Sequence, residues 1–152
     1  MKVAIYVRVS KRDMNPENQL IQLEKYAKEK GFEYTIFQEK ESTRNTRPIK
    51  QEVLTKLRQR EYEGVLIWKL DRWARSLQEL ITDINEITGK NLQFIVLTAP
   101  IDTTTASGRL FINVLGAFAE FERDIIKERT MAGLDRARAL GKTLGRPKKP
   151  PL

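Results

Sequence analysis

A chain of 152 residues, 40% of them hydrophobic, can bury one core of ordinary size. It has no cysteine and no histidine, which excludes disulfides, thiolate zinc sites and the commonest general base, so any catalysis must run on Ser, Asp, Glu, Lys, Arg or Tyr. The formal charge of +8 is uneven: residues 129–152 hold seven basic side chains against one acid, Asp135, while the first 128 residues are close to neutral, a distribution that fits an anionic partner such as nucleic acid, or else a solvated tail.

The opening run KVAIYVRVS alternates Val3, Ile5, Val7 and Val9 with Ala4, Tyr6, Arg8 and Ser10, the period of two that sends side chains to opposite faces of a strand. Arg8 and Ser10 therefore share a face. A guanidinium there needs an acidic partner or an anion beyond the strand's end. The stretch from Asn15 to Gly31 predicts a helix, with Asn15 as N-cap, Pro16 at the first helical position, Leu20, Leu23 and Ala27 at helical spacing and Gly31 as the stop. Residues Phe32 to Glu39 predict the second strand, Ser42 to Arg47 a polar loop, and Pro48 the start of a second helix with Ile49, Val53, Leu54 and Leu57 as its apolar stripe. The near-continuous apolar run GVLIWKL (64–70) reads as a buried parallel strand, SLQELITDINEITGK (76–90) as a third helix ending near Gly89, and LQFIVLT (92–98) as a fourth strand. Alternating strands and helices joined by short connections predict an α/β fold: a mainly parallel central sheet of about four to five strands, flanked by helices.

From Ser107 to Gly141 the pattern is one long helix, some 30 residues or roughly 45 Å, so its far end is expected to project from a core of this size. Between Leu110 and Phe121 it is apolar nearly all round, whereas packing on its own sheet needs one stripe. The surplus around Ile112, Leu115 and Phe118 therefore predicts a second subunit. The organisation expected is an α/β core at 1–106, the long helix at 107–140, and a basic segment at 141–152 that serves as a minor-groove arm or as a linker to a DNA-binding module. No apolar run reaches the length of a membrane span and no signal peptide is evident, so an intracellular, cytoplasmic protein without a membrane partner is expected.

Working groups of parallel sheets gather past the carboxyl ends of the strands. Arg8 and Ser10, the Ser42–Arg47 loop, and Asp71, Arg72 and Arg75 of LDRWARS all fall there. Arg72 and Arg75 are three residues apart, so both face one point if a helix begins at that place. Guanidiniums converging near a serine hydroxyl suit a phosphodiester, because their forks match phosphate oxygens and offset the extra charge of the transition state. A nearby Asp can orient an arginine or take a proton.

These residues, YVRVS at the amino terminus, Gln19 in the following helix, LDRWARS after the third strand, and GAFAEFERDIIKERT leading into GLDRARALGKTLGRP, resemble over essentially the whole chain the catalytic domain of serine site-specific recombinases, the resolvase/invertase family. The resemblance implies that Ser10 attacks a DNA phosphodiester, leaving a 5′-phosphoserine link and a free 3′-hydroxyl before strand exchange and religation. It implies that Arg8, Arg72 and Arg75 contact the scissile phosphate, with Asp71 orienting them and Arg72 a candidate acid for the leaving oxygen. Gln19 and Arg47 match the family's active-site set, with Arg44 of the same STRNTR loop as the alternative to Arg47, and Ser42, Glu128 and Arg129 match its supporting set. Arg136, Arg138, Lys142, Arg146, Lys148 and Lys149 are the expected DNA contacts. Double-stranded DNA, a homodimer and a synaptic tetramer are the implied partners, and neither cofactor nor metal is expected. Two other readings share part of this pattern: a catalytically idle DNA-binding or regulatory relative, which would not need Ser10, and a small-molecule phosphohydrolase, which would not need the basic helix.

Overall fold

The computed structural model describes residues 1–9, 16–40, 46–142 and 145. In chain order the elements are β1 (Lys2–Val9), α1 (Pro16–Glu29), β2 (Glu33–Lys40), α2 (Pro48–Arg58), β3 (Gly64–Ile67), α3 (Leu77–Gly89), β4 (Gln93–Val96) and α4 (Ala106–Ala139), with a short 3-10 turn at Leu70–Arg72. The four strands form one sheet in the order β2-β1-β3-β4, every pair parallel. The chain moves outward from β1 to β2 and then crosses back over β1 to β3. That reversal opens a crevice past the carboxyl ends of β1 and β3, where open α/β sheets bind their ligands.

The alternation in β1 divides the core in two. Val3, Ile5 and Val7 join Leu66, Ile95 and the α1 residues Leu23 and Ala27 on one face. Ala4 and Tyr6 join Val65, Ile67, Phe94 and Val96 with Val53, Leu54 and Leu57 of α2 and Leu80, Ile84 and Ile87 of α3 on the other. Helices thus cover both faces. α1 closes at Gly31, whose φ of +72° lets Phe32 N–H return to the Ala27 carbonyl at 2.8 Å. The expected N-cap of α1, Asn15, lies outside the described residues.

Two boundaries differ from the sequence expectation. β3 ends at Ile67 rather than Leu70, because the chain turns at Leu70–Arg72 with Trp73 N–H bonded back to the Leu70 carbonyl at 3.0 Å. β4 ends at Val96, and the segment after it doubles back along its edge: Val96 N–H reaches the Ile101 carbonyl at 2.8 Å, and buried Thr103 takes the Phe94 N–H on its hydroxyl at 2.8 Å. This return covers the unpaired edge of β4. It also fixes how α4 starts, since a Cβ added at Gly108 would lie 2.0 Å from the Asp102 carbonyl oxygen. Gly108→Ala must displace backbone, and should lower stability by about 2–3 kcal/mol in chemical denaturation, whereas Gly116→Ala, whose added methyl would meet nothing within 4 Å, should not destabilise.

The expectation for the α4 interface needs correction. Ile112 is buried in the core cluster with the β1, α2 and α3 side chains, so it does not belong to a surplus face, while Leu115 is half-buried against the same cluster. An all-apolar helix does not reveal which stripe its own core consumes. The exposed large side chains of this stretch are Leu110, Val114, Phe118 and Phe121, with Leu110 65% and Phe118 50% exposed. By compactness the chain divides into two units, Met1–Leu115 and Gly116–Leu152. No helix among the described residues is long and apolar enough to cross a membrane.

Candidate active site

The crevice predicted by the sheet topology holds an open cavity of about 260 Å³ lined by Arg8, Arg47, Asp71, Ala74 and Arg75. Each charged group reaches it from a different element. Arg8 stands near the end of β1, on the same face as Tyr6, and its Nη2 donates to the Asp71 backbone carbonyl at 2.8 Å. Arg47 precedes α2 with a left-handed backbone, φ 43° and ψ 61°. A non-glycine residue there is strained by about 1–2 kcal/mol, and the residue before a proline is already disfavoured from the right-handed helical region. The conformation sends its guanidinium inward, 3% exposed, where Nη1 donates to the Trp73 carbonyl. The first turn of α2 is capped from elsewhere, as the fully buried Glu39 accepts the Ile49 N–H at 2.8 Å.

Arg75 sits just before α3. Ser76 is the N-cap and accepts the Glu79 N–H at 3.1 Å; Glu79 in turn accepts the Arg75 backbone N–H at 3.1 Å and lies 3.7 Å from its Nε. This is a capping box shifted by one residue, legible in the sequence as Ser-Leu-Gln-Glu. Trp73, fully buried, stacks edge-to-face on Tyr6 at 5.3 Å and on Phe94 at 5.6 Å. The aromatic wedge thereby fixes the carbonyl that holds Arg47.

The electrostatics are those of a site short of negative charge. Burial lowers the pKa of Arg47, the Arg8 guanidinium lowers it further and Arg75 adds to this, while Tyr6 and Glu79 offset only part. The Nε atoms of Arg8 and Arg47 are buried and have no hydrogen-bond partner among the described residues. Unsatisfied cationic donors beside an open cavity are costly in the empty state and suited to an anion with several oxygens. The Tyr6 hydroxyl is also buried without a described partner. Burial first, and the Glu39 charge second, push its pKa well above the usual tyrosine range, so it remains a neutral donor. Sequence reasoning does not single out Tyr6, although its alternation with Arg8 on one strand face is the available signal.

The other sequence candidates fall as follows. Asp71 lines the cavity, yet it holds Arg8 through its backbone carbonyl, not its carboxylate. Arg72 is half-buried on the 3-10 turn and does not line the cavity; it shares no helical turn with Arg75, because the turn stops at Arg72 and α3 begins only after Ser76. Gln19 is buried on α1, outside the cavity lining, with its Oε1 unpartnered among the described residues. Glu128 and Arg129 are exposed on α4 in the second unit, as are Arg136 and Arg138, and Lys142 is exposed just beyond it. Ser10, Ser42, Arg44, Arg146, Lys148 and Lys149 lie outside the described residues.

A buried group that sequence reasoning misses entirely is Lys50. It stands three, four and seven residues before Val53, Leu54 and Leu57, in the middle of the apolar stripe of α2, and its side chain is 2% exposed, with Nζ 2.7 Å from Glu79, 2.9 Å from Asp83 and 4.8 Å from the centre of the Trp73 ring. The signal is the pair Glu79 and Asp83, four residues apart on one face of α3.

Residues 3–143 match the family described as "Resolvase, N terminal domain". The chain is 42% identical to the DNA-invertase of Enterobacteria phage P7 over 142 residues, 93% of this chain and 73% of the relative. It is 41% identical to the transposon Tn917 resolvase of Enterococcus faecalis over 146 residues, 95% of this chain and 75% of the relative. Among solved structures, the N-terminal catalytic domain of TP901-1 integrase superposes with a TM-score of 0.72 at 32% identity, covering 82% of this chain and 98% of that one. The chain therefore belongs to the resolvase family of serine recombinases, enzymes that cleave and rejoin DNA.

Proposed function

We propose that this chain is a site-specific recombinase in which Ser10 is the nucleophile. The Ser10 oxygen attacks the scissile phosphorus and loses its proton as the new P–O bond forms. The bond to the 3′ oxygen breaks, and that oxygen leaves as a 3′-hydroxyl, so the DNA 5′ end stays linked to the serine. Reversal on a new partner strand restores the phosphodiester; one ester is exchanged for another at each step and no external energy source is needed. The observation that carries this reading is the convergence of Arg8, Arg47 and Arg75 on one cavity, two of them with buried Nε donors that have no partner among the described residues. Ser10 follows Arg8 by two residues in the sequence. The guanidiniums grip the phosphate and stabilise the added charge of its pentacoordinate state, and the Asp71 carboxylate is available to orient an arginine or accept a proton.

The test is to incubate the protein with a pool of pseudo-palindromic duplexes of randomised sequence, quench in detergent and look for DNA that migrates with protein. A covalent adduct attached at the 5′ end supports the reading; cleavage without an adduct, or with a 3′ attachment, overturns it.

DNA is held by the basic end of the chain: Arg136, Arg138 and Lys142, together with Arg146, Lys148 and Lys149. Arg138 lies 3.8 Å from Asp135 in an exposed pair, too weak to keep it from a phosphate. Two subunits pair through exposed apolar side chains of α4, Leu110 and Val114 in the first unit and Phe118 and Phe121 in the second, and tetramers form when two DNA-bound dimers meet. Phe118→Glu should convert a dimer to monomers or aggregates in sedimentation at tens of micromolar protein, and a wild type that stays monomeric there even with DNA bound would contradict this assembly.

A further inference from the structure

The phosphate grip has a competitor built into it. Glu79 stands among three cations: its Oε1 is 2.7 Å from Lys50 Nζ and 3.8 Å from Arg47 Nη1, and its Oε2 is 3.7 Å from Arg75 Nε. Only the lysine is at hydrogen-bond distance. Arg47 and Arg75, two of the three arginines that line the cavity, are close enough to be attracted, but are not closed upon. Lys50 is itself fixed, because Asp83 Oδ2 takes its Nζ at 2.9 Å while also accepting the Trp73 indole N–H at 3.0 Å, and Trp73 supplies the carbonyl that anchors Arg47.

Such a cluster is a poor way to gain stability. A buried lysine with two acids is matched or exceeded by apolar side chains of the same volume, and α2 and α3 already pack through Val53, Leu54, Leu57, Leu80, Ile84 and Ile87. Resting on the reading of the cavity as a phosphate site, we propose that Lys50 is a positioning residue that keeps this grip open. By holding Glu79, it stops that carboxylate from swinging onto Arg47 and Arg75 and occupying the donors the phosphate needs. Glu79 remains to hold the Arg75 main chain through its N–H, a task a glutamine oxygen performs equally well.

The experiment uses inorganic phosphate as the probe, followed through the Nε–H signals of the arginines by NMR, with single-turnover DNA cleavage measured in parallel and thermal melting as a check of folding. Lys50→Met should weaken phosphate binding about tenfold and slow cleavage in proportion, with DNA affinity unchanged, since the basic end is untouched. Glu79→Gln, which removes the competitor, should bind phosphate at least as tightly as wild type. Lys50→Met/Glu79→Gln should regain the binding that Lys50→Met lost. A purely structural cluster gives the opposite pattern, with both single variants weaker and the double variant no better than either. Phosphate binding unaffected by Lys50→Met, or weakened by Glu79→Gln in a protein that still melts cooperatively, overturns the proposal. If the wild type forms no DNA adduct yet phosphate binding follows the stated order, the recombinase reading fails and the role of Lys50 stands.

Discussion

Ser10→Ala should abolish the covalent protein–DNA adduct, lowering its rate of formation by at least about 10⁴-fold, the scale on which removal of a covalent nucleophile is felt. With neither cysteine nor histidine in the chain, no thiol or imidazole can take its place. The same substitution should leave unfolding free energy within about 0.5 kcal/mol of wild type, because one hydroxyl adds little. DNA affinity should also persist, since it rests on the basic end of the chain. The pairing of a lost adduct with retained binding and stability is what identifies a nucleophile. A quenched reaction of Ser10→Ala that still yields adduct would end the assignment.

Replacing Arg8, Arg47 or Arg75 by lysine should slow cleavage by about 10²–10³-fold each, the usual cost of losing one preorganised donor to a transition state. Charge is preserved in these variants, so the effect isolates geometry. An ammonium is a point donor, whereas the guanidiniums of Arg8 and Arg47 each bond the protein with one arm and must bond the phosphate with another. Arg8 shows this division: Nη2 is committed to the Asp71 carbonyl while Nε remains unpartnered among the described residues. Arg47→Lys should be the most damaging, because the Trp73 carbonyl then loses its donor in a buried setting, and a stability loss of about 1–3 kcal/mol should accompany the slower rate. Arg8→Lys and Arg75→Lys should fold nearly as wild type. Three lysine variants with wild-type rates would reduce the arginines to structural charges.

How much of this is legible along the chain depends on which forces act locally. The period of two in β1 settles which face Arg8 occupies; the positions of Pro16, Gly31, Pro48 and Ser76 locate helix ends that the structure reproduces within a residue or two; and alternation of strands with helices implies a parallel sheet with its working edge at the strands' carboxyl ends. These are consequences of backbone geometry and of the nearest few neighbours, so they can be read in order from one residue to the next. The family resemblance carried by YVRVS and LDRWARS is likewise available from the residues alone.

Side chains are committed only once the elements meet. Ile112 reads as part of a subunit interface and is core, because an all-apolar helix gives no sign of which stripe its own domain takes. Arg72 and Arg75 read as one helical turn, but the backbone breaks between them and sends only Arg75 to the cavity. Arg47, Tyr6 and Lys50 acquire their properties from burial and from partners 25 or more residues away in the sequence: the Trp73 carbonyl for Arg47, burial and then the Glu39 charge for Tyr6, the carboxylates of Glu79 and Asp83 for Lys50. Charge interactions at 3–4 Å in a low-dielectric interior depend on distance and burial, and neither is encoded by spacing along the chain. Local sequence thus dictates the sheet, the helices and the chemical kinds of group at the site, while the packing of α2 against α3 selects which of those groups face the cavity, which are buried behind it, and how their charges are balanced.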